Sequence, residues 1–420
     1  MRLKSILGGS IGNILEWYDF GLFAIYSPLF SRLFFPNYDP HIALITVFSV
    51  FALGFLCRPI GALLFGFLGD REGRVRSLRL SILMISVPTL LIGFLPTYAV
   101  VGIWAPIFLT LIRVWQGISL GGEFSGSIIY LTETAPNQHR GLVASLAGTG
   151  ANMGILLASA ISAASSYFFT DIDFEKWGWR IPYILSGIVC LFVYFTRLQL
   201  QETNVFNYLK EKKLLVKNPI RMVFKNNLPQ MLRTIGLVCM GSTFYYLCFI
   251  YMTTFLTQNL HFSLSKATSW MTFFIGTMII LVPLSGMLCD YFGRRKMLLF
   301  NAILITLITI PGFYFLLHNY YIIGFVFVIA LFTIASSLEQ ATTSIAVVEN
   351  FPPPARYTGL SFGYNLGVAI FGGTTPLICE ALINKTHILL IPAYYIVACA
   401  MVTGLVAFFF VRETAGKSLI

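Results

Sequence analysis

Some twelve runs of apolar residues, each long enough to cross a lipid bilayer, follow one another along this chain, and that repetition confines it to very few folds. A helix needs about 20 apolar residues to cross about 30 Å of hydrocarbon. The runs fall at 10–34, 42–68, 78–96, 102–131, 141–168, 180–200, 231–257, 266–288, 297–317, 321–348, 357–382 and 389–411. No water reaches the backbone in lipid, so each run must satisfy its own N–H and C=O groups as a helix; the period-2 alternation of a membrane β-barrel is absent. The expected fold is an all-α membrane protein of twelve transmembrane helices. Composition excludes the alternatives: 57% of the 420 residues are hydrophobic and only 11% are charged, against about 25% charged in a soluble domain. With 39 Phe, 20 Tyr and 6 Trp, disorder is ruled out as well.

The net charge of +11 belongs to the loops. With both termini in the cytoplasm, 21 of the 28 Lys and Arg fall on the cytoplasmic side, five on the opposite side, and Arg58 and Arg113 within spans, as the positive-inside rule requires. The densest basic stretch, Lys210 to Arg233, marks the midpoint. The expected organisation is a six-helix bundle over 1–200, a cytoplasmic connector over 201–230 and a second six-helix bundle over 231–420. Topology and anionic lipid account for the basic connector, so no nucleic-acid partner is expected. Glu16 and Asp19 interrupt the first apolar stretch and no small-residue cleavage site follows, which predicts a retained first helix. The seven cysteines lie mostly in apolar runs without a CxxC pair and read as buried small hydrophobes. His41, His139, His261, His318 and His387 sit in or beside loops, and no HExxH or nucleotide-binding P-loop is present. Neither a metal, a cofactor nor an enzyme is expected.

Internal repetition settles the architecture. Gly66-Phe-Leu-Gly-Asp70-Arg-Glu-Gly73-Arg74 follows span two, and Gly286-Met-Leu-Cys-Asp290-Tyr-Phe-Gly293-Arg294 follows span eight, with the aspartates 220 residues apart. Glu133 precedes Arg140 by seven positions, as Glu349 precedes Arg356; the glutamates are 216 apart, as are Glu123 and Glu339. Both halves end on a Glu-Thr pair, Glu202-Thr203 and Glu413-Thr414. Two related, parallel six-helix bundles are a standard construction of secondary transporters.

These loop motifs resemble those of the major facilitator superfamily. Gly12-Asn-Ile-Leu-Glu16-Trp-Tyr-Asp19-Phe20, Gly54-Phe-Leu-Cys-Arg58-Pro-Ile-Gly61, and Arg113-Val-Trp-Gln-Gly117 with Gly121-Gly-Glu123 resemble, more narrowly, its metabolite:proton symporters, whose members carry proline and betaine, shikimate, citrate or 2-oxoglutarate. Cys57 departs from the small Ala usual there. The chain stops about nine residues after span twelve, without the long C-terminal coiled coil of osmosensing members, which weakens the expectation of osmotic regulation but not of transport. The resemblance implies that Asp70, Arg74, Glu133 and Arg140, with Asp290, Arg294, Glu349 and Arg356, form a cytoplasmic gate of salt bridges holding the outward-open state. Glu339 is grouped with this gate.

Ionisable residues at membrane depth are costly and usually functional. Arg113 lies near mid-membrane, and its fork of donors suits a carboxylate; Arg58 is a second candidate. Glu16 and Asp19, three residues apart on neighbouring parts of one helix face, are candidates for proton coupling, with Glu123 a further one. A structural pairing of Glu16 or Asp19 with Arg58 remains the alternative. Gln116, Trp17, Tyr18, Tyr26, Trp115, Tyr130, Tyr246, Trp270 and Tyr364 are candidate substrate contacts, the aromatics through cation–π attraction to an ammonium. The expected function is a monomeric, multi-pass symporter of the bacterial inner membrane that imports a small carboxylate-bearing zwitterion such as proline or betaine with a proton. An organic acid such as citrate, 2-oxoglutarate or shikimate is the alternative cargo, and a non-transporting receptor of the same fold the alternative class.

Overall fold

The computed structural model describes residues 3–36, 38–259, 262–318 and 322–419, and His261 lies outside them. Twelve long helices run back and forth: α1 (Leu3–Phe34), α2 (Pro40–Arg71), α3 (Arg74–Phe94), α4 (Trp104–Thr134), α5 (Arg140–Phe168), α6 (Arg180–Arg197), α7 (Leu228–Tyr245, prolonged by Tyr246–Tyr251 and Met252–Asn259), α8 (Leu264–Phe292), α9 (Arg294–His318), α10 (Ile322–Glu349), α11 (Arg356–Gly367, prolonged by Val368–Gly373 and Thr375–Thr386) and α12 (Ile391–Phe410). No strand occurs among the described residues. The helices overrun the apolar stretches, most clearly at Leu3, Arg71, Arg74 and Thr134, because charged residues at a helix end reach water without breaking the helical hydrogen bonds. The basic connector carries two short helices, Asn204–Glu211 and Pro219–Asn226.

By length and apolarity alone, ten helices among the described residues can cross a membrane, and α1 and α4 are the long helices left out. These two carry Asn13, Glu16, Asp19, Arg113, Gln116 and Glu123, all buried. The hydropathy deficit is therefore the signature of helices whose polar groups face protein rather than lipid.

Within the first six helices α1 packs on α5, α2 on α4 and α3 on α6; within the last six α9 packs on α12, α8 on α10 and α7 on α12. Two helix pairs join the sets, α5 with α8 and α2 with α11. Glycine makes the close pairs possible. A Cβ on Gly61 would run into the Ile118 carbonyl of α4, and one on Gly121 into the Arg58 carbonyl of α2. Gly61→Ala should therefore cost upwards of about 3 kcal/mol and abolish a cooperative melt of the purified protein. Gly373→Ala, where nothing lies within 4 Å, should melt as the wild type does.

Both segments that prolong α7 and α11, Tyr246–Tyr251 and Val368–Gly373, have the wider π-helical winding. Such insertions cluster at functional sites, and Tyr246 and Val368, which open them, both border the central cavity.

Candidate functional site

A cavity of about 80 Å³ lies between the two sets of helices, walled by α1, α2, α4 and α5 on one side and α7, α10 and α11 on the other. One water takes about 10–15 Å³ by the same measure, so the space suits a solute of several heavy atoms. Its cation is Arg58 and its carboxylate is Glu339, with Trp17, Tyr245, Tyr246 and Tyr364 among the walls. Trp17 Nε1 and the Tyr246 hydroxyl are buried and have no hydrogen-bond partner in the protein.

Arg58 is 2% exposed. Its Nε donates to Asn365 Oδ1 of α11 at 3.1 Å, and Asn365 in turn donates to the Gly121 carbonyl at 3.0 Å. The counter-ion of Arg58 is Glu16, held loosely at 3.7 Å between Nη2 and Oε1. Neither oxygen of Glu16 has a hydrogen bond, although both are buried. A carboxylate with no donors relies on one guanidinium for all of its stabilisation.

Arg113 and Asp19 form the opposite kind of pair. Arg113 Nη1 donates to Asp19 Oδ2 at 3.0 Å, Gln116 Nε2 donates to the same oxygen at 3.0 Å, and the Thr89 hydroxyl donates to Oδ1 at 3.2 Å. The guanidinium lies 3.6 Å from the centre of the Phe23 ring. None of Arg113, Asp19 and Gln116 lines the central cavity. The structure thus corrects the expectation that Arg113 is the cavity's cation: depth along α4 was read properly, but its side chain turns toward α1 and α3.

The charged loops lie at the end of the bundle that carries the basic connector, and there the two repeats exchange partners. Asp70 pairs with Arg74 at 3.1 Å, and Arg74 with Glu133 at 3.2 Å. Glu133 then reaches Arg356 of the other half at 2.9 Å. Asp70 accepts from the backbone N–H groups of Tyr357 and Thr358, at 3.1 and 2.9 Å, where the first turn of α11 has free donors. In the second half Asp290 pairs with Arg294 at 3.0 Å, Arg294 with Glu349 at 3.1 Å, and Glu349 with Arg140 at 3.6 Å. Asp290 accepts from Gly141 and Leu142 at the start of α5, at 2.8 and 2.9 Å. This face of the bundle is closed.

The Glu-Thr pairs belong to the same closure, a role their spacing alone did not reveal. Thr203 donates to Glu133 at 2.7 Å and Thr414 to Glu349 at 2.5 Å. Glu202 accepts from the Val75 N–H and Glu413 from those of Arg294 and Arg295, capping α3 and α9. Partial burial pushes the Glu413 carboxyl up, but the N–H donors of Ala415, Arg294, Arg295 and Thr414 outweigh it and hold the group below its ordinary value. Beyond Glu413 the chain crosses the closure, its Lys417 carbonyl accepting from Arg140 at 2.5 Å and its Leu419 carbonyl from Arg356 at 3.1 Å.

Several other candidates lie elsewhere. Glu339 is a cavity residue and makes none of the ion pairs of the closed face. Glu123 does not face the cavity; it takes two bonds from Arg197, at 2.5 and 2.8 Å, and one from Ser81 at 2.5 Å. Tyr130 donates to the Gln201 carbonyl near the closed face, and Tyr18 to the Pro182 carbonyl on α6. Tyr26 packs among Phe174, Tyr183 and Phe30, and Trp270 against Phe274 and Phe325. Trp115 is exposed on the outside of the bundle. Of the aromatic candidates, Trp17, Tyr246 and Tyr364 do line the cavity. Among the described residues no group of His, Cys, Asp and Glu is arranged to hold a metal.

Known proteins share this arrangement. The proline/betaine transporter of Salmonella typhimurium strain LT2 is 33% identical over 430 residues, 99% of this chain and 84% of the relative. The glycine betaine/proline/ectoine/pipecolic acid transporter OusA of Dickeya dadantii is 32% identical over 429 residues, with the same coverage. The solved structure of the proton:xylose symporter XylE bound to 6-bromo-6-deoxy-D-glucose superposes with a TM-score of 0.79 at 17% identity, covering 99% of this chain and 97% of that one. The family model described as Major Facilitator Superfamily matches residues 10–362 and again 234–419. Matched end to end by transporters and twice by that family, the chain belongs to the major facilitator superfamily and is a multi-pass secondary transporter, not an enzyme.

Proposed function

We propose that this transporter imports a small zwitterion of the proline or glycine betaine kind together with a proton, by alternating access. It acts as a monomer in the bacterial inner membrane, with both termini cytoplasmic and no cofactor beyond the coupling proton. The observation that carries the reading is the Arg58–Glu16 contact at the cavity, 3.7 Å long and without a hydrogen bond to Glu16. A cargo carboxylate that docks on Arg58 offers the guanidinium two well-placed acceptors, and Glu16 then loses its counter-ion. A buried carboxylate without a counter-ion is neutralised by a proton, so cargo and proton load together. The Arg113–Asp19 pair, saturated with hydrogen bonds, neutralises α1 and α4 and is not reached by cargo.

One guanidinium and a cavity of about 80 Å³ suit one carboxylate better than the three of citrate. The relatives named for proline and betaine support the same class. The basic loops support a cytoplasmic location for the closed face, which makes this the outward-facing side of the cycle.

Two measurements test the reading. In a thermal-shift panel of the purified protein, proline or glycine betaine should raise the melting temperature and citrate should not; stabilisation by citrate alone reverses the cargo assignment. Glu16→Gln should then retain exchange of labelled cargo for unlabelled cargo, yet lose accumulation against a gradient by at least tenfold. If Glu16→Gln accumulates normally and Asp19→Asn exchanges without accumulating, the proton site is Asp19.

A further inference from the structure

The two halves repeat one buried glutamate and then treat it differently. Glu123 and Glu339 stand 216 residues apart, and each sits against a glycine on the first helix of its half: a Cβ on Gly12 would strike Glu123, and one on Gly241 would strike Glu339. In the first half Glu123 is saturated by Arg197, five residues before Glu202. In the second half the residue five before Glu413 is Phe408. Glu339, 5% exposed, thus keeps the position and loses the arginine, and no cation lies within 4 Å of it among the ion pairs of the described residues. It faces the cavity instead. Arg58 is asymmetric in the reverse sense: 220 residues on, the second half has Met278.

From this we infer that Glu339 is the cation subsite of the cavity: it receives the ammonium of a zwitterion whose carboxylate is held by Arg58, so that the cargo bridges α2 of one half to α10 of the other. The inference rests on the zwitterion reading above and deepens it to named residues. Quaternary ammonium groups donate no hydrogen bond, so recognition of betaine relies on charge and on aromatic faces. Glu339 supplies the charge, and Tyr245, Tyr246, Tyr364 and Trp17 on the same walls supply the faces. The partnerless Trp17 Nε1 and Tyr246 hydroxyl are donors for the carboxylate end beside Arg58. A cargo held at both ends draws the halves together, which makes binding itself favour the rearrangement that follows.

The test pairs glycine betaine with 3,3-dimethylbutyrate, which has the same shape and carboxylate but a neutral tert-butyl group. Binding of both to purified protein is measured by titration calorimetry. The wild type should prefer betaine by about 30-fold or more. Glu339→Gln should lose betaine affinity by a similar factor while changing dimethylbutyrate affinity less than threefold, and Glu339→Asp should keep a preference for betaine. An unchanged melting temperature of Glu339→Gln shows that the fold is intact. Betaine affinity within threefold of wild type in Glu339→Gln, or an equal loss of both probes, overturns the assignment while leaving the zwitterion reading in place. A wild type that binds neither proline nor betaine overturns the zwitterion reading itself.

Discussion

Arg58→Gln should abolish concentrative uptake of betaine and proline and weaken their binding by about 100-fold, near the upper end for loss of a charge-assisted, bidentate anchor. The guanidinium does three things at once: it offers a fork to the cargo carboxylate, neutralises Glu16 at 3.7 Å, and ties α2 to α11 through Asn365 at 3.1 Å. Glutamine preserves a donor for Asn365 and removes the charge. Glu16 then has no counter-ion and holds its proton with or without cargo, so even the residual binding is uncoupled. Arg58→Lys keeps the charge but not the fork, and should lie between wild type and Arg58→Gln in affinity. Calorimetry and vesicle uptake read the two effects separately. Arg113→Gln is the informative contrast: it leaves Asp19 buried beside neutral partners, so it should lower the melting temperature while altering the betaine-to-dimethylbutyrate ratio little.

Glu133→Gln should open the cytoplasmic closure. Glu133 is buried and accepts from Arg74, Arg356 and Thr203, and the Arg356 contact crosses between halves. Removing one member of a buried charged network costs about 3–5 kcal/mol, and every 1.4 kcal/mol is about tenfold in population. The inward-open fraction should therefore rise by about 100-fold or more. A Ser344→Cys reporter on the cavity wall, treated with an impermeant thiol reagent from the cytoplasmic side, should label much faster when Glu133→Gln is added. Unchanged labelling would show that the Asp70 and Asp290 caps on α11 and α5 hold the face shut without Glu133.

The sequence carried the architecture because lipid imposes it: helix number, loop charge and the repeated gate motifs all follow from where polar groups can be satisfied. The gate was legible to the residue, since Asp70, Glu133 and Arg356 lie in loops and helix ends whose partners the repeat identifies. The cavity was legible only in part. Depth along a helix follows from residue counting, but the direction of a side chain around the helix depends on its neighbours, and α1 and α4 are enclosed by protein on several sides. Arg113 and Arg58 thus looked alike, whereas packing turns Arg113 onto Asp19 and Phe23 and leaves Arg58 on the cavity. Glu339 was taken for a gate residue because it repeats Glu123. The signal that separates them, Arg197 in one half against Phe408 in the other, is present in the sequence but acquires meaning only once Arg197 is seen bonded to Glu123.

The account's central claim is that cargo and proton compete through one guanidinium in a cavity closed toward the cytoplasm. Uptake of labelled betaine into vesicles of the reconstituted protein, under an imposed inward proton gradient and then under an inward sodium gradient at equal pH, tests it most directly. The account predicts concentrative uptake with the proton gradient only, lost in Glu16→Gln although exchange persists. Accumulation that follows sodium and ignores the proton gradient would contradict it.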